Sequence, residues 1–474
     1  MKPKGLNVVF VGGGSPRVLP VVRAAMASQQ VFEGGSIRLV DKIVPRAEAV
    51  GEMIRRCPEF QQVNCRVSWG QDLDRALDGA DVLYVTMAVG RPATVLRSRD
   101  ASMKRGFLSS DNLSLSGAFL ALTAGPAILG FARRMERLCP DAILLDFANP
   151  VAVYSGMVNN HTRIRALGIC GGFTNHRWDL TRLIFGMDET RDIYDVDVAG
   201  INHLSFILRG TCEGRDLFEL MSRRLRQPFT PPRYQPWFRP GARRHVNFAL
   251  RRLEEMYHRF GTVIFSTEGD GMTHLYYERM FAMQKKDWRP ASEAAIRKHA
   301  RRAESERAES DARFRAYLSQ PLDDAFWRQP YYVNERISTH PDEISVTLLR
   351  ALAGLGQAKV AASAPSRGAV AGFPARSVLE FSQIVDRRGP RPAGSFAVPP
   401  PFHGLIAALS THQTLLGDAI ATQDPRLLAD ALFAYPVHFN TRAARQTCLD
   451  LLAIHREEIP AVFQEAAPWI RKVK

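Results

Sequence analysis

NVVFVGGGSPRVLP, residues Asn7 to Pro20, joins an apolar run to a glycine-rich turn and the start of a helix. Leu6 to Val11 is rich in β-branched residues, the pattern of a buried parallel strand. Gly12, Gly13, Gly14 and Ser15 follow, then Pro16 and the helix-forming segment Val18 to Met26. Such a turn lets the backbone approach a pyrophosphate, while the helix start presents free N–H groups and the positive end of its dipole. A second apolar run, Ile37 to Val40, ends in Asp41, where a dinucleotide fold places the carboxylate that holds a ribose. Gly12 and Gly14 supply the first two glycines of G-x-G-x-x-G, whereas Arg17 stands at the third. The stretch predicts a dinucleotide site, with an ordinary glycine turn as the plainer alternative. An acidic residue at 41 favours NAD over NADP, although Lys42 and Arg46 pull the other way.

Working outward, strands and helices alternate to about residue 195, as a doubly wound sheet requires. Asp81 to Thr86, Ala142 to Ala148 and Ile164 to Ile169 are short apolar runs, with helical stretches such as Ala118 to Leu138 between them. Ligands gather beyond the C-terminal ends of such strands. Gly12 to Ser15, Asp41, Ala88 to Arg91, Asn149-Pro150 and Cys170 are therefore the positions to follow. From Asp195 the texture changes: Asp195 to Leu208 reads as a strand containing a turn, and residues 227–245 as a proline-rich loop. A helical region opens at Leu250, and residues 296–316 read as a charged, solvated and functionally silent helix. The expected organisation is α/β. A Rossmann-like domain over residues 1–195 precedes an α+β domain over 196–474, the architecture of lactate and malate dehydrogenases.

Bulk numbers narrow the class. A chain of 474 residues exceeds what one core ordinarily fills, which fits two domains. No apolar run approaches the roughly 20 residues that span a bilayer, and MKPKGLNVVF has no h-region with a cleavage site, so a cytoplasmic protein is expected. Six cysteines without a C-x-x-C do not form a disulfide framework. The net charge of +15 comes from 63 Lys+Arg against 48 Asp+Glu, mostly arginine scattered along the chain. No nucleic-acid reader motif accompanies it, so a small anionic substrate, or simply a host that uses much arginine, explains it better than nucleic acid.

Several side chains carry possible chemistry. Cys170 follows a strand directly and His203 sits in Gly200-Ile201-Asn202-His203. Each alone is more simply a structural residue, yet together they are a ligand pair for Mn²⁺, Fe²⁺, Co²⁺, Ni²⁺ or Zn²⁺, with positions left open for substrate. Asn149-Pro150 also reads as plain turn chemistry. Glu268 to Glu278, EGDGMTHLYYE, offers Asp270, His274, Tyr276 and Tyr277 as bases, and the sequence does not choose among them. Asp111, in Ser110-Asp111-Asn112, is either a helix cap or a residue facing the cofactor cleft.

The order of these motifs resembles glycoside hydrolase family 4. A GGGS turn, an Asn-Pro after a later strand, a Cys after the next and an Asn-His opening the second half are its pattern. Val378 to Phe381 and Ala429 to Val437 continue it. The resemblance implies NAD as a catalytic cofactor and a divalent metal, usually Mn²⁺, outside the two-carboxylate scheme of most glycosidases. It assigns Cys170 and His203 to the metal, and Gly12, Gly13, Gly14, Ser15 and Asp41 to NAD. Asn149 becomes a substrate contact, and Asn202, His274 and Arg91 are placed beside it. Asp270, Tyr276 or Tyr277 serves as base and Asp111 is the acid candidate. Relatives assemble as dimers or tetramers, so a homo-oligomer is expected.

Two departures stand out. Gly171 follows the metal cysteine where the family has His, Asn or Asp, and SSDNLSLSG replaces its glycine-rich sugar-facing turn. A form that has lost the metal is one alternative. Arg91, Arg97, Arg99, Lys104 and Arg105 crowd the loop where relatives grip a 6-phosphate; arginine forks suit phosphate, carboxylate or sulfonate, and a solvated basic surface is the plainer alternative.

The expected activity is NAD-dependent cleavage of a small anionic glycoside, such as a 6-phosphoglycoside, glucuronide or sulfoquinovoside. The steps would be transient C3 oxidation, C2 deprotonation and elimination. Alternatives are a neutral α-galactoside or α-glucoside by the same route, a 2-hydroxy-acid-type dehydrogenase, and an NAD-sensing regulator. No nucleic-acid or membrane partner is expected.

Overall fold

Residues 5–189, 191–234, 240–266, 269–319, 322, 327, 343–436 and 441–471 are described by the computed structural model. Its first six strands are β1 (Asn7–Val11), β2 (Ser36–Val40), β3 (Arg66–Gly70), β4 (Val82–Val85), β5 (Ile143–Asp146) and β6 (Arg165–Gly168). They are parallel and lie in the order 3-2-1-4-5-6, the dinucleotide-fold order. Each of β1, β4 and β5 is an almost wholly buried apolar run, because helices cover both faces of a parallel sheet. β3 was not foreseen. It is an edge strand whose residues alternate between buried and exposed, so RVSWG carries too little apolar signal.

The sheet continues where the sequence texture changes. β7 (Tyr194–Ile201) and β8 (Leu204–Cys212) form an antiparallel hairpin, with Ile201 opposite Leu204 and Asn202-His203 as its two-residue connection. β9 (Arg215–Asp216) and β10 (Val263–Ile264) flank β8. β11 (Ala358–Pro365), β12 (Val378–Asp386) and β13 (Gly389–Pro392) complete the sheet. β11 joins β6 through Ser363 and Gly168, and β12 joins β7 through Glu380 and Gly200. One mixed sheet thus runs from β3 to β10 through both halves of the chain. The Ala-rich sequence of β11, AKVAASAP, has weak strand propensity, and burial between β6 and β12 overrides it.

Three readings of the helices change. Leu115–Leu138 spans 24 residues and by length and composition could cross a bilayer, contrary to the expectation that no run is long enough. In the fold 72% of its most apolar window is buried, so the apolarity serves the core. Pro240–Phe260 is one helix, beginning inside the expected proline-rich loop, whose residues 235–239 lie outside the described set. The charged helix Glu293–Leu318 is anchored as well as solvated, pairing Glu293 with Arg97 and Asp311 with Arg46.

Candidate active site

The glycine turn is sterically obligatory. Gly12 has φ +79°, and a Cβ on Gly13 would stand 2.7 Å from Leu39 Cβ. One on Gly14 would stand 2.4 Å from Arg46 Cβ. Asp41, just past β2, accepts the Gly14 N–H on Oδ2 and the Ile43 N–H on Oδ1, both at 2.9 Å. It thereby fixes the turn against the helix that follows β2, while its remaining lone pairs can still accept ribose hydroxyls. Arg17, at the third-glycine position, lays its guanidinium over the Phe147 ring, 3.3 Å from the centroid. The helix therefore packs through a cation–π contact where a glycine would allow direct backbone approach. These residues fit a dinucleotide.

Cys170 and His203 meet across the sheet edge. Cys170 follows β6, and the Gly172 N–H at the start of the helix Gly172–Phe185 donates to its Sγ at 3.4 Å. His203 Nε2 lies 3.4 Å from that sulfur. Ligands at roughly 2.3 Å (S) and 2.1 Å (N) from one metal, at a cis or tetrahedral angle, stand roughly 3.1–3.5 Å apart. The pair fits a divalent ion. Among the described residues no cluster of three or more His, Cys, Asp and Glu side chains is shaped to hold a metal. A bound ion would keep several positions open.

Asp270 is bound on every side. Its Oδ1 accepts from His203 Nδ1 at 2.7 Å and from the Gly271 N–H at 3.0 Å. Its Oδ2 accepts from the Ser110 hydroxyl at 2.9 Å and the Leu113 N–H at 3.0 Å. Burial alone would raise its pKa, but the His203 charge and these hydrogen bonds hold it well below the usual carboxylate range. For His203 burial works downward, and Asp270 and Cys170 together hold its pKa well above the usual value. A carboxylate so engaged orients the imidazole so that Nε2 faces the sulfur.

A cavity of about 240 Å³ opens over this group, lined by Asp111, His203, Asp270, His274, Tyr277 and Tyr435 among others. Asn149 Nδ2 reaches Asp111 Oδ2 at 3.3 Å, tying the Asn-Pro turn after β5 to the cavity wall. The Asn149–Pro150 peptide is cis. His274 places Nδ1 on the Asp270 carbonyl at 2.9 Å and Nε2 on the Tyr435 hydroxyl at 3.1 Å. Burial lowers its pKa. Of the two adjacent tyrosines, Tyr277 lines the cavity with its hydroxyl donating to the Gly106 carbonyl. Tyr276 is not among the lining residues, and its hydroxyl sits 3.5 Å from the Arg252 carbonyl. Asn202 is buried behind His203 instead of facing the cavity. Tyr435 went unremarked in the sequence because it is an ordinary aromatic at a helix end.

The arginine crowd lies elsewhere. Arg91 pairs with Glu457 at 3.6 Å and its N–H reaches Glu458. Arg97 pairs with Glu293, Arg99 approaches Asp100 and Arg105 pairs with Asp450. Neither these nor Lys104 line the cavity. In this stretch Arg97 pairs with an acid of the helix Glu293–Leu318 and Arg105 with one of the helix Arg442–Ile454, a use invisible without the fold.

A dinucleotide-type sheet with a cysteine–histidine pair at the C-terminal ends of its strands defines an α/β enzyme with a composite site. The family model of the family 4 glycosyl hydrolases matches residues 7–184, and that of their C-terminal domain matches residues 198–437. The chain belongs to the family 4 glycosyl hydrolases. It is 22% identical to a probable 6-phospho-beta-glucosidase of Bacillus subtilis over 98% of this chain and 99% of that protein. It is also 22% identical to an alpha-galacturonidase of Thermoanaerobacter italicus over 92% of each. Its fold matches a 6-phospho-alpha-glucosidase from gut microorganisms, solved with NAD and Mn²⁺, with TM-score 0.76 and 18% identity. That match covers 96% of this chain and 99% of the other.

Proposed function

We propose that this enzyme cleaves a small glycoside by the NAD-dependent oxidation–elimination route. The observation that carries the reading is the Cys170–His203 pair, 3.4 Å apart, whose histidine is oriented by Asp270 and lines the cavity with it. Gly12, Gly13, Gly14, Ser15 and Asp41 would hold NAD, and Cys170 and His203 the divalent metal. When bound, NAD would supply a hydride acceptor for the sugar and the divalent ion would supply stabilisation of the negative charge that follows. The protein's own groups then divide the work. Asp270 keeps His203 in register. Tyr277, the tyrosine at the cavity wall, would move the C2 proton once its hydroxyl leaves the Gly106 carbonyl, and Asp111, steadied by Asn149, would serve the leaving group. His274, Tyr435 and Ser109 line the same cavity and would shape it around the glycone.

The relatives named for 6-phosphoglucosides and galacturonides support an anionic glycone. A neutral glycone is the second reading, favoured by the exposed Asp111 carboxylate on the wall and by the engagement of the helix Pro92–Lys104 cations elsewhere. One experiment tests both. The enzyme with NAD⁺ and Mn²⁺ is incubated in D₂O with glucose 6-phosphate, glucuronate, sulfoquinovose, glucose and galactose, and C2–H is followed by NMR. NAD-dependent exchange without NADH accumulation is expected, and the sugar that exchanges names the glycone. Steady NADH formation, or no exchange with any sugar, would leave a dehydrogenase or a sensor.

A further inference from the structure

His203 occupies a conformation that its own sequence position does not favour. It is the second residue of the two-residue connection between β7 and β8, with φ +70°, a region glycine ordinarily fills in such turns. A side chain stays there only when the surroundings over-determine it. Asp270 grips the imidazole from one side. The backbone of the turn is gripped from the other by a buried chain of polar groups that the reaction itself does not use.

Glu380, 3% exposed on β12, accepts from Asn202 Nδ2 at 2.8 Å and from the Ser205 hydroxyl at 2.6 Å. Those two residues stand on either side of His203, so one carboxylate bridges both legs of the hairpin tip. Asn202 Oδ1 in turn accepts from Asn112 Nδ2 at 2.7 Å, and Asn112 Oδ1 lies 3.5 Å from Gln413 Nε2. Asn112, Asn202, Ser205 and Gln413 are all buried. The chain has a direction: each amide N–H points toward the next oxygen, and it ends on a group that only accepts when ionised. Asn112 adjoins Asp111 on the cavity wall and lies two residues from Ser110, which binds Asp270. The network therefore ties the wall of the cavity to the hairpin that carries His203.

We propose that Glu380 is a positioning residue for the Cys170–His203 pair, acting through Asn202, Ser205 and Asn112 to hold His203 in its left-handed conformation at a fixed distance from the cavity wall. The inference rests on the metal-binding reading of that pair. Removing the carboxylate leaves the Asn202 amide and the Ser205 hydroxyl without an acceptor in a buried site, and the tip relaxes. Glutamine can turn its oxygen to Asn202 and its amide to the Ser205 oxygen, so Glu380→Gln keeps the bridge.

The test compares wild type, Glu380→Ala, Glu380→Gln and Asn112→Ala as full-length protein. Mn²⁺ affinity is measured by calorimetry, the thiolate-to-metal charge-transfer band by absorption after Co²⁺ loading, and NAD⁺ affinity by fluorescence. For Glu380→Ala, Mn²⁺ binding should weaken about 10–100-fold with a shifted or lost Co²⁺ band, and NAD⁺ binding should stay within about twofold. Glu380→Gln should recover to within about threefold of wild type. If Glu380→Ala does not fold, Asn112→Ala carries the same expectation at the low end of that range. Unchanged Mn²⁺ affinity and Co²⁺ band in folded Glu380→Ala, with only a lower melting temperature, would overturn the proposal. A wild type that takes up neither Mn²⁺ nor Co²⁺ would instead remove the metal reading on which it rests.

Discussion

A Cβ on Gly271 would stand 1.6 Å from the carbonyl oxygen of His203. The helix Gly269–Leu275 thus rides against the β7–β8 hairpin tip with no room for a side chain, and this brings Asp270 within 2.7 Å of His203 Nδ1. Gly271→Ala should push the helix away and cost about 1–3 kcal/mol from overpacking. Because the Asp270–His203 bond parts with it, Mn²⁺ affinity should fall more steeply than thermal stability, as calorimetric titration beside a melting curve would reveal.

Asp270→Asn separates orientation from proton transfer. If Asp270 orients His203, the variant should lose about 10–100-fold in Mn²⁺ affinity, and raising Mn²⁺ should restore most of the C2–H exchange. If Asp270 were the base, exchange would stay abolished at saturating metal. The NMR exchange rate against Mn²⁺ concentration decides between them.

The glycine turn makes a separate prediction. Gly14→Ala places a methyl 2.4 Å from Arg46 Cβ and 3.0 Å from Asp41 Oδ2, so the turn and its Asp41 anchor shift together. NAD⁺ binding should weaken at least about tenfold, which is about 1.4 kcal/mol, while Mn²⁺ binding to the distant Cys170–His203 pair stays near wild type. Fluorescence titration with NADH checks the first half and calorimetry the second.

Arg97→Ala should leave KM unchanged for any sugar that the wild type turns over, including a phosphorylated one. Its partner is Glu293 at the start of the helix Glu293–Leu318, and both side chains are exposed, so solvent screens the pair. A large rise in KM confined to anionic substrates would return this helix to the substrate site.

Stability should fall as the solution is acidified below pH 6.5. His412 is fully buried on the helix His403–Thr422, with Nδ1 donating to the Ala431 carbonyl at 2.7 Å, and burial lowers its pKa to about 4. Between the folded and unfolded values the unfolded chain binds more protons, so the stabilising contribution present above pH 6.5 is lost as pH falls toward 4. For this one group that amounts to roughly 3 kcal/mol. His455 behaves in the same sense, its pKa also lowered to about 4 by burial. The melting temperature should drop across this window, and His412→Gln should flatten the slope. A slope identical to wild type would show that His412 is not held neutral.

The sequence by itself determined the strand–glycine turn–helix at the start of the chain, the parallel sheet that follows and the candidate ligands Cys170 and His203. These are local signals: apolar period, glycine placement and residues just after a strand. Even Asp41 was legible, because its distance from the turn is set by one βα unit. Only the tertiary structure decided what those residues do to one another. Asp270 reaches His203 across 67 residues, and Glu380 reaches Asn202 across 178. Arg97 and Arg105, within and just after the helix Pro92–Lys104, turn toward acids contributed by other helices and do not line the cavity. β11, whose sequence argues against a strand, is held in the sheet between the distant β6 and the next strand, β12. Periodicity reports which face of an element is buried. Which distant group waits there is fixed by packing, and in this protein that packing turns a scattered cysteine, histidine and aspartate into one site.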